Sequence, residues 1–564
     1  MKGLANTFQP QFPFKGIVAA MAQMGFNPKT LFANNEPGVW YDPSDLSTLY
    51  QDAAGTTPVT AVEQPVGLML DKSKGLTLGP ELVTDVEFND PSKWAFVQPT
   101  SGNVSISGGK LSISTLDGTY CQAATFPFVA AVVNRAVQYE INVESVSGSG
   151  IAVSYGGALG PAITTPGVHR GTLIATSTAA LLIRRFTNTA TSAVVLSCTV
   201  RELPGNHARQ PTATSRPVLS ARVNLLTKTE QFDDAVWEKT GVTVTPNTAT
   251  APDGTLTADQ VGVTTANTSR PSISVSGVTS AGITYKYSVW LRAGVPTTVI
   301  LQIPNTDFTE YLAQQSAAVG TDWKQFSLTF TGRAGAIWHR GGAVGQIYNI
   351  WGADLRVAND GANLPPYQRV NTATDYDTVG FPHYLRFDGV DDWLVTNTIT
   401  PGTDKVQVFA GVRKLSDATI GIILEHSANI NSNNGSLYLA NGGPTVAGAN
   451  YSSSSLGDAS STGGHAANSG LFYASPITNV ISTTHDISGD LSTIRVNNVA
   501  GTNGILDKGA GNFGNYQLYI SRRGGTTLPF NGRLYSLIVR FGSNLPTATI
   551  ENTEKYINTK TRAY

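Results

Sequence analysis

The chain is predicted to be all-β, three sandwiches behind a short N-terminal arm with little helix, and three observations predict it. Apolar residues alternate with polar ones in many short runs, such as KVQVFAGVRK and LSTIRVNN, the period of half-buried strands. Charged residues make up only 14% of 564 residues while Gly contributes 57 and Pro 29, so short strands are joined by tight turns. A stretch is also repeated: ELVTDVEFNDPSKW from Glu81 and NLLTKTEQFDDAVW from Asn224 both end on a Trp, Trp94 and Trp237.

The copies close alike, on SCTVRELPGN and IWGADLRVAND, which places one module at 81–204 and a second at 224–370. A length of 564 residues exceeds what one core serves, and three or four domains are expected. Lys plus Arg number 38 against 39 Asp plus Glu, a net charge of −1 with no basic stripe, which argues against nucleic acid as a partner. Cys121 and Cys198 sit in apolar runs and read as two buried small hydrophobes, the rival being one disulfide between neighbouring strands. Residues 1–36 form an aromatic, Pro-punctuated arm with at most a short helix near 16–25. Its apolar GIVAAMA comes too late for a secretory signal. No run approaches the ~18 apolar residues of a bilayer span, so membrane insertion is not expected.

With the two modules set aside, VWYDPSDLSTLYQD, LMLDKS, GNHARQPTATSRPVLSAR and HYLRFDGVDDWL read on from one another. In that order they resemble the opening strands of laminin-G-like, concanavalin-type lectin domains of bacteriophage virion proteins. FNGRLYSLIVRFGSNL followed by TATIENTEKYINTKT is similar to the closing strand and terminal helix of the same domains. That helix would set Ile550, Thr553 and Ile557 on one face, with Thr547 or Thr549 as its cap. The resemblance implies a discontinuous sandwich in three pieces, 37–80, 205–223 and 371–564, with both modules inserted at early loops. Such insertion is tolerated because loop-closure cost grows slowly with length. The modules, through Trp94, Trp237 and the strand YKYSVWLRA, resemble jelly-roll carbohydrate-binding modules found in phage structural proteins.

Sugar binding needs an aromatic ring for the apolar face of a pyranose and polar side chains for its hydroxyls. Of eight tryptophans, Trp94, Trp237 and Trp393 lie near strand ends and are expected to plug cores. Trp338 in AIWHRGG is the expected loop-borne ring, beside His339 and Arg340, and these three are the candidate carbohydrate site. Glu140, Asn142 and Glu144 share one face of a strand and echo the carboxylate run of laminarinase-like glycosidases. Asn stands where that run has an acid, and a solvated strand face is the reading taken. Asp388, Asp391 and Asp392 in RFDGVDDW could supply oxygens to a structural Ca²⁺, or simply form an acidic turn. No other cofactor is expected. Residues 429–473, rich in Ser, Gly and Asn, are expected to form long loops around the short strand SLYLAN.

Together these features predict a non-enzymatic virion protein. A tail-fibre or baseplate-associated component is the leading reading, attached to other virion proteins by its arm and binding host cell-surface polysaccharide. By family analogy it would act as a homo-oligomer, as a trimer in many phage fibres. A capsid decoration or stabilising protein is the alternative, and a polysaccharide-degrading enzyme the third reading.

Overall fold

The computed structural model describes residues 26–97, 102–116, 121–125, 130–265, 271–443, 446–458 and 466–564. The proposed helix near 16–25 lies outside them. The described residues form an all-β protein of antiparallel sheets, arranged in facing pairs.

In the first module one sheet runs Ala158–Leu159, Ile151–Tyr155, Leu182–Arg185, Gln122–Thr125, Trp94–Val97. Its partner runs Gly167–Ile174, Ala136–Gly148, Thr191–Leu203, Lys110–Thr115, Gly102–Ser107. The second module repeats both orders strand for strand: Tyr311–Val319, Thr297–Pro304, Ile337–Arg340, Ser272–Val275, Glu238–Thr240. Facing it are Lys324–Thr331, Thr284–Arg292, Ile347–Val357, Ala258–Val263 and Val242–Ala249.

The repeated stretch explains why both copies fold alike. Its first residue ties the opening of each module to its last strand: Glu81 Oε1 accepts the N–H groups of Val83 (3.0 Å) and Val200 (2.7 Å). Asn224 Oδ1 accepts those of Leu226 (3.1 Å) and Leu355 (3.0 Å). The Trp at its end is a core plug in both copies, and its indole N–H returns to the same position of the repeat. Trp94 donates to the Asp85 carboxylate (3.2 Å) and Trp237 to the Lys228 carbonyl (2.9 Å). Cys121 and Cys198 are both buried and unbonded to each other; burial in that core pushes the Cys198 thiol far above its ordinary pKa.

The third pair of sheets draws strands from both ends of the chain. One sheet runs Val218–Ser220, Tyr384–Asp388, Asn531–Phe541, Lys405–Lys414, Ile477–Asp486, Leu491–Val496, Val499–Ala500. Gly38–Tyr41 pairs with the half of Asn531–Phe541 that Tyr384–Asp388 leaves open, Gly38 opposite Arg540 and Tyr41 opposite Leu537. The facing sheet runs Leu49–Tyr50, Leu68–Met69, Ala208–Arg209, Leu394–Ile399, Tyr516–Ile520, Gly421–His426, Ser436–Gly443, Val446–Leu456, Ala467–Asn468. A single core holds Val39, Leu49 and Leu219 together with Val408, Leu439 and Val539. Helix Thr547–Thr561 lies on the outside of the first sheet, where Ile557 packs with Leu31, Trp40, Phe409 and Ile538. No helix among the described residues is long and apolar enough to cross a membrane.

Three local expectations are corrected, and one strand was not expected. The Ser-rich stretch is not mainly loop: Ser436–Gly443 and Val446–Leu456 pair as long strands, and Ser452 to Ser455 are buried. Serine is a poor strand signal, but hydroxyls can bond across a sandwich, as Ser453 does to His485 (2.9 Å). Strand Ile477–Asp486, whose central residues are buried on both faces, has no clean alternation and escapes a period-2 reading. The helix Thr547–Thr561 has Pro546 at its N-cap, a residue with no side-chain acceptor, so neither Thr547 nor Thr549 caps it. Trp393 is only half-buried; it stacks on Tyr519 with ring centroids 5.9 Å apart.

Candidate functional site

Strand Ile337–Arg340 is hydrogen-bonded on both sides, to Ser272–Val275 and Thr297–Pro304, so its side chains must alternate. The sequence candidates therefore separate, and Trp338 is strand-borne rather than loop-borne. Ile337 and His339 point into the core; Trp338 and Arg340 point out. His339 is completely buried among Phe232, Trp237 and Tyr287, bonds to the Tyr287 hydroxyl, and is held neutral by burial that pushes its pKa down to about 3. It supports the fold and offers nothing to a surface ligand.

Trp338 stacks on Phe308, ring centroids 5.5 Å apart and planes 23° from parallel. Phe308 sits in a turn after Thr297–Pro304 with φ +59° and is 52% exposed; Tyr311, opposite Pro304, is exposed as well. Ser274, Trp338, Gln302 and Gln314 form one row across four strands. Along it Gln302 Nε2 donates to Gln314 Oε1 (3.0 Å), and Arg340 Nη1 donates to Gln302 Oε1 (2.8 Å). An aromatic pair thus borders the exposed Gln314 and the half-buried Arg340, both held in place by the buried Gln302, and these are the two kinds of surface that a sugar ring and its hydroxyls require. Sequence reasoning missed Phe308, Gln302 and Gln314; the usable signal was the alternation Ile-Trp-His-Arg, which glycines on both sides disguised.

A second aromatic group, Trp290, Trp323, Trp351 and Tyr367, lies on the opposite outer face of the second module. Tyr367 packs on Trp351 at 4.7 Å, and the Trp351 indole donates to Thr257 Oγ1 (2.9 Å).

Glu140 and Glu144 do project from one outer face, but each is occupied by an ion pair, Glu140 with Arg170 (2.6 Å) and Glu144 with Lys110 (2.7 Å). Oxygen atoms of Asp388, Asp391 and Asp392 all lie within 4.8 Å of one another. The donor type suits Ca²⁺. Several of those oxygens already accept bonds: Asp388 Oδ1 from the Val390 N–H (2.7 Å), Asp391 Oδ2 from Ser215 (2.8 Å), Asp392 Oδ2 from the Asp388 N–H (3.0 Å). Burial, followed by repulsion from Asp388, pushes the Asp392 carboxyl up to about 7. The unfolded chain ionises this carboxyl at about pH 4 while the fold keeps it protonated up to about 7, so the stability cost builds from about pH 4 and is complete above about 7. Asp392→Asn, which mimics the protonated acid, is expected to raise the melting temperature at pH 8 and to change it little at pH 4. An equal shift at both pH values would contradict this.

No family model matches the sequence, and no curated protein matches it. Solved structures resemble parts of the chain. A tandem pair of family-22 carbohydrate-binding modules from Paenibacillus barcinonensis Xyn10C aligns at 12% identity, covering 50% of this chain and 99% of that one, with a TM-score of 0.21. The family-40 module of a Ruminococcus gnavus sialidase, bound to α2,3-sialyllactose, aligns at 13% identity over 28% of this chain and 84% of that one, TM-score 0.22. The enzymatically active domain of tailspike protein 4 from bacteriophage CBA120 aligns at 14% identity over 24% of this chain and 22% of that one, TM-score 0.20.

Proposed function

We propose that this chain is a non-catalytic glycan-binding protein of a phage particle, a tail-fibre or baseplate-associated component that recognises host surface polysaccharide. The observation that carries the glycan reading is the Trp338–Phe308 stack beside the row Gln302, Gln314 and Arg340. The virion setting is supported by the sequence resemblance of the discontinuous sandwich. Neighbouring virion proteins and assembly as a homo-oligomer belong to the same reading, in which several weak sites on one particle add their affinities. Purified protein is expected to bind intact host cells, and extracted host polysaccharide is expected to compete. Trp338→Ala should weaken that binding about tenfold, the loss of about 1.4 kcal/mol that one aromatic contact supplies. Unchanged binding by the Ala variant would remove the site. Release of reducing ends from the polysaccharide would replace a binding role with an enzymatic one.

A further inference from the structure

The first module presents a regular polar grid on one outer face. Across strands Gly167–Ile174, Ala136–Gly148 and Thr191–Leu203, Arg170, Glu140 and Thr199 form one row, and Thr172, Gln138 and Arg201 form the next. Neighbouring strands are ~4.8 Å apart and rows ~6.8 Å apart, so the grid covers roughly 10 by 7 Å, the footprint of one or two sugar rings. It is not an open sheet face. Tyr50, Thr56 and Pro58 of the third sandwich stand over it, and between the two walls lies a cleft of about 480 Å³. The Tyr50 hydroxyl meets Thr172 Oγ1 at 3.1 Å and closes one end. Behind it, Leu68, Leu70, Ala136, Ile174 and Leu203 bury an apolar seam that fixes the two walls against each other.

The sibling module shows what this face can hold. Its corresponding rows are Thr329, Lys286, Arg356 and Ser327, Ser288, Asp354. There the chain itself lies across the grid: Arg356 Nη1 donates to the Pro365 carbonyl (2.7 Å), and the Gln368 N–H donates to Asp354 Oδ2 (2.9 Å). The same surface carries a segment of the chain beside a cavity of about 210 Å³ in one copy and faces the cleft of about 480 Å³ in the other.

We propose that the cleft of the first module is a second binding site, made jointly by two domains, for an oligosaccharide that carries carboxylates. Arg170 and Arg201 stand at opposite corners of the grid, roughly 12 Å apart along its diagonal. Their side chains are 71% and 50% exposed, although each already meets one protein carboxylate, Glu140 and Glu81. A guanidinium has five N–H donors, and its planar fork matches a carboxylate. Gln138 and Glu140 lie at the centre of the two rows and Thr199 at a third corner, and they offer donors and acceptors to sugar hydroxyls, while Tyr50 supplies an aromatic wall. The site is independent of the Trp338 platform, which belongs to the other module.

The test titrates the full chain with three acidic probes: short oligogalacturonate, hyaluronan fragments and sialyllactose. Methyl-esterified oligogalacturonate is the uncharged control. At least one acidic probe is expected to bind, and Arg170→Gln and Arg201→Gln are each expected to weaken it about tenfold, while Trp338→Ala leaves it unchanged. Both arginines are largely exposed, so the variants should fold, as an unaltered melting curve would verify. If none of the three probes binds, if the ester binds as well as its free acid, or if both arginine variants bind normally, the proposal is overturned. Loss of acidic-sugar binding in Trp338→Ala would also overturn it, by moving that binding to the other module.

Discussion

Asp360→Ala is expected to destabilise the protein by about 3–5 kcal/mol, because it strands the fully buried charge of Arg413 and removes the carboxylate partner of the mostly buried Arg533. Asp360 follows the last strand of the second module and enters the third sandwich, where its Oδ1 meets Arg413 Nε at 3.0 Å and Arg533 Nη1 at 3.4 Å. Arg413 is 1% exposed and Asp360 4%. The remaining donors of Arg413 are partly taken by the Asn359 carbonyl (3.0 Å) and Thr478 Oγ1 (2.9 Å), and Arg533 lies over the Tyr384 ring. A buried ion pair adds little over a well-packed apolar substitute, but losing one partner of it is costly. Urea unfolding of the variant against the parent measures the loss; a difference under about 1 kcal/mol would mean that water reaches the cluster.

Acid is the second large lever. His339 in the second module and His426 and His485 in the third sandwich are all buried, and burial pushes each pKa down to about 3. Unfolded, each would take up its proton near pH 6.5. The sign follows: the stability these neutral rings allow is fully present above pH 6.5 and is lost as pH falls toward 3, by up to about 1.4 kcal/mol per pH unit for each ring. The histidine contribution is therefore nearly flat between pH 8 and pH 6.5 and drops steeply below, and three rings outweigh the opposite slope of Asp392, so melting temperature is expected to fall below pH 6.5. His426 is packed against Tyr516 and Phe541, so His426→Leu should flatten that slope. An unaltered slope in this variant would assign the acid sensitivity elsewhere.

The fold class was legible because strand alternation is a local signal, and the repeat was legible because the positions that recur are those that close each module. Glu81 and Asn224 differ chemically, yet both offer a side-chain oxygen to the same two backbone donors. Legibility failed where a residue's role depends on partners far along the chain. Nothing near Asp360 in sequence announces Arg413 or Arg533. Trp338 was found as a ring, but its setting was misjudged: a four-residue strand between glycines looks like a loop, and only pairing with Ser272–Val275 and Thr297–Pro304 sends His339 inward. The Ser run 452–455 misled for the opposite reason, since polarity suggested solvent while the hydroxyls lie inside.

Gly38–Tyr41 finds its place only beside Asn531–Phe541, with Gly38 opposite Arg540. On a ribosome making roughly 5–20 residues per second, that early strand must wait on the order of half a minute to two minutes for its neighbour. Both modules have emerged complete by then. Nascent chains should thus carry two finished units on an unfinished third, and an exposed strand edge during that interval is where chaperones would have their chance to act.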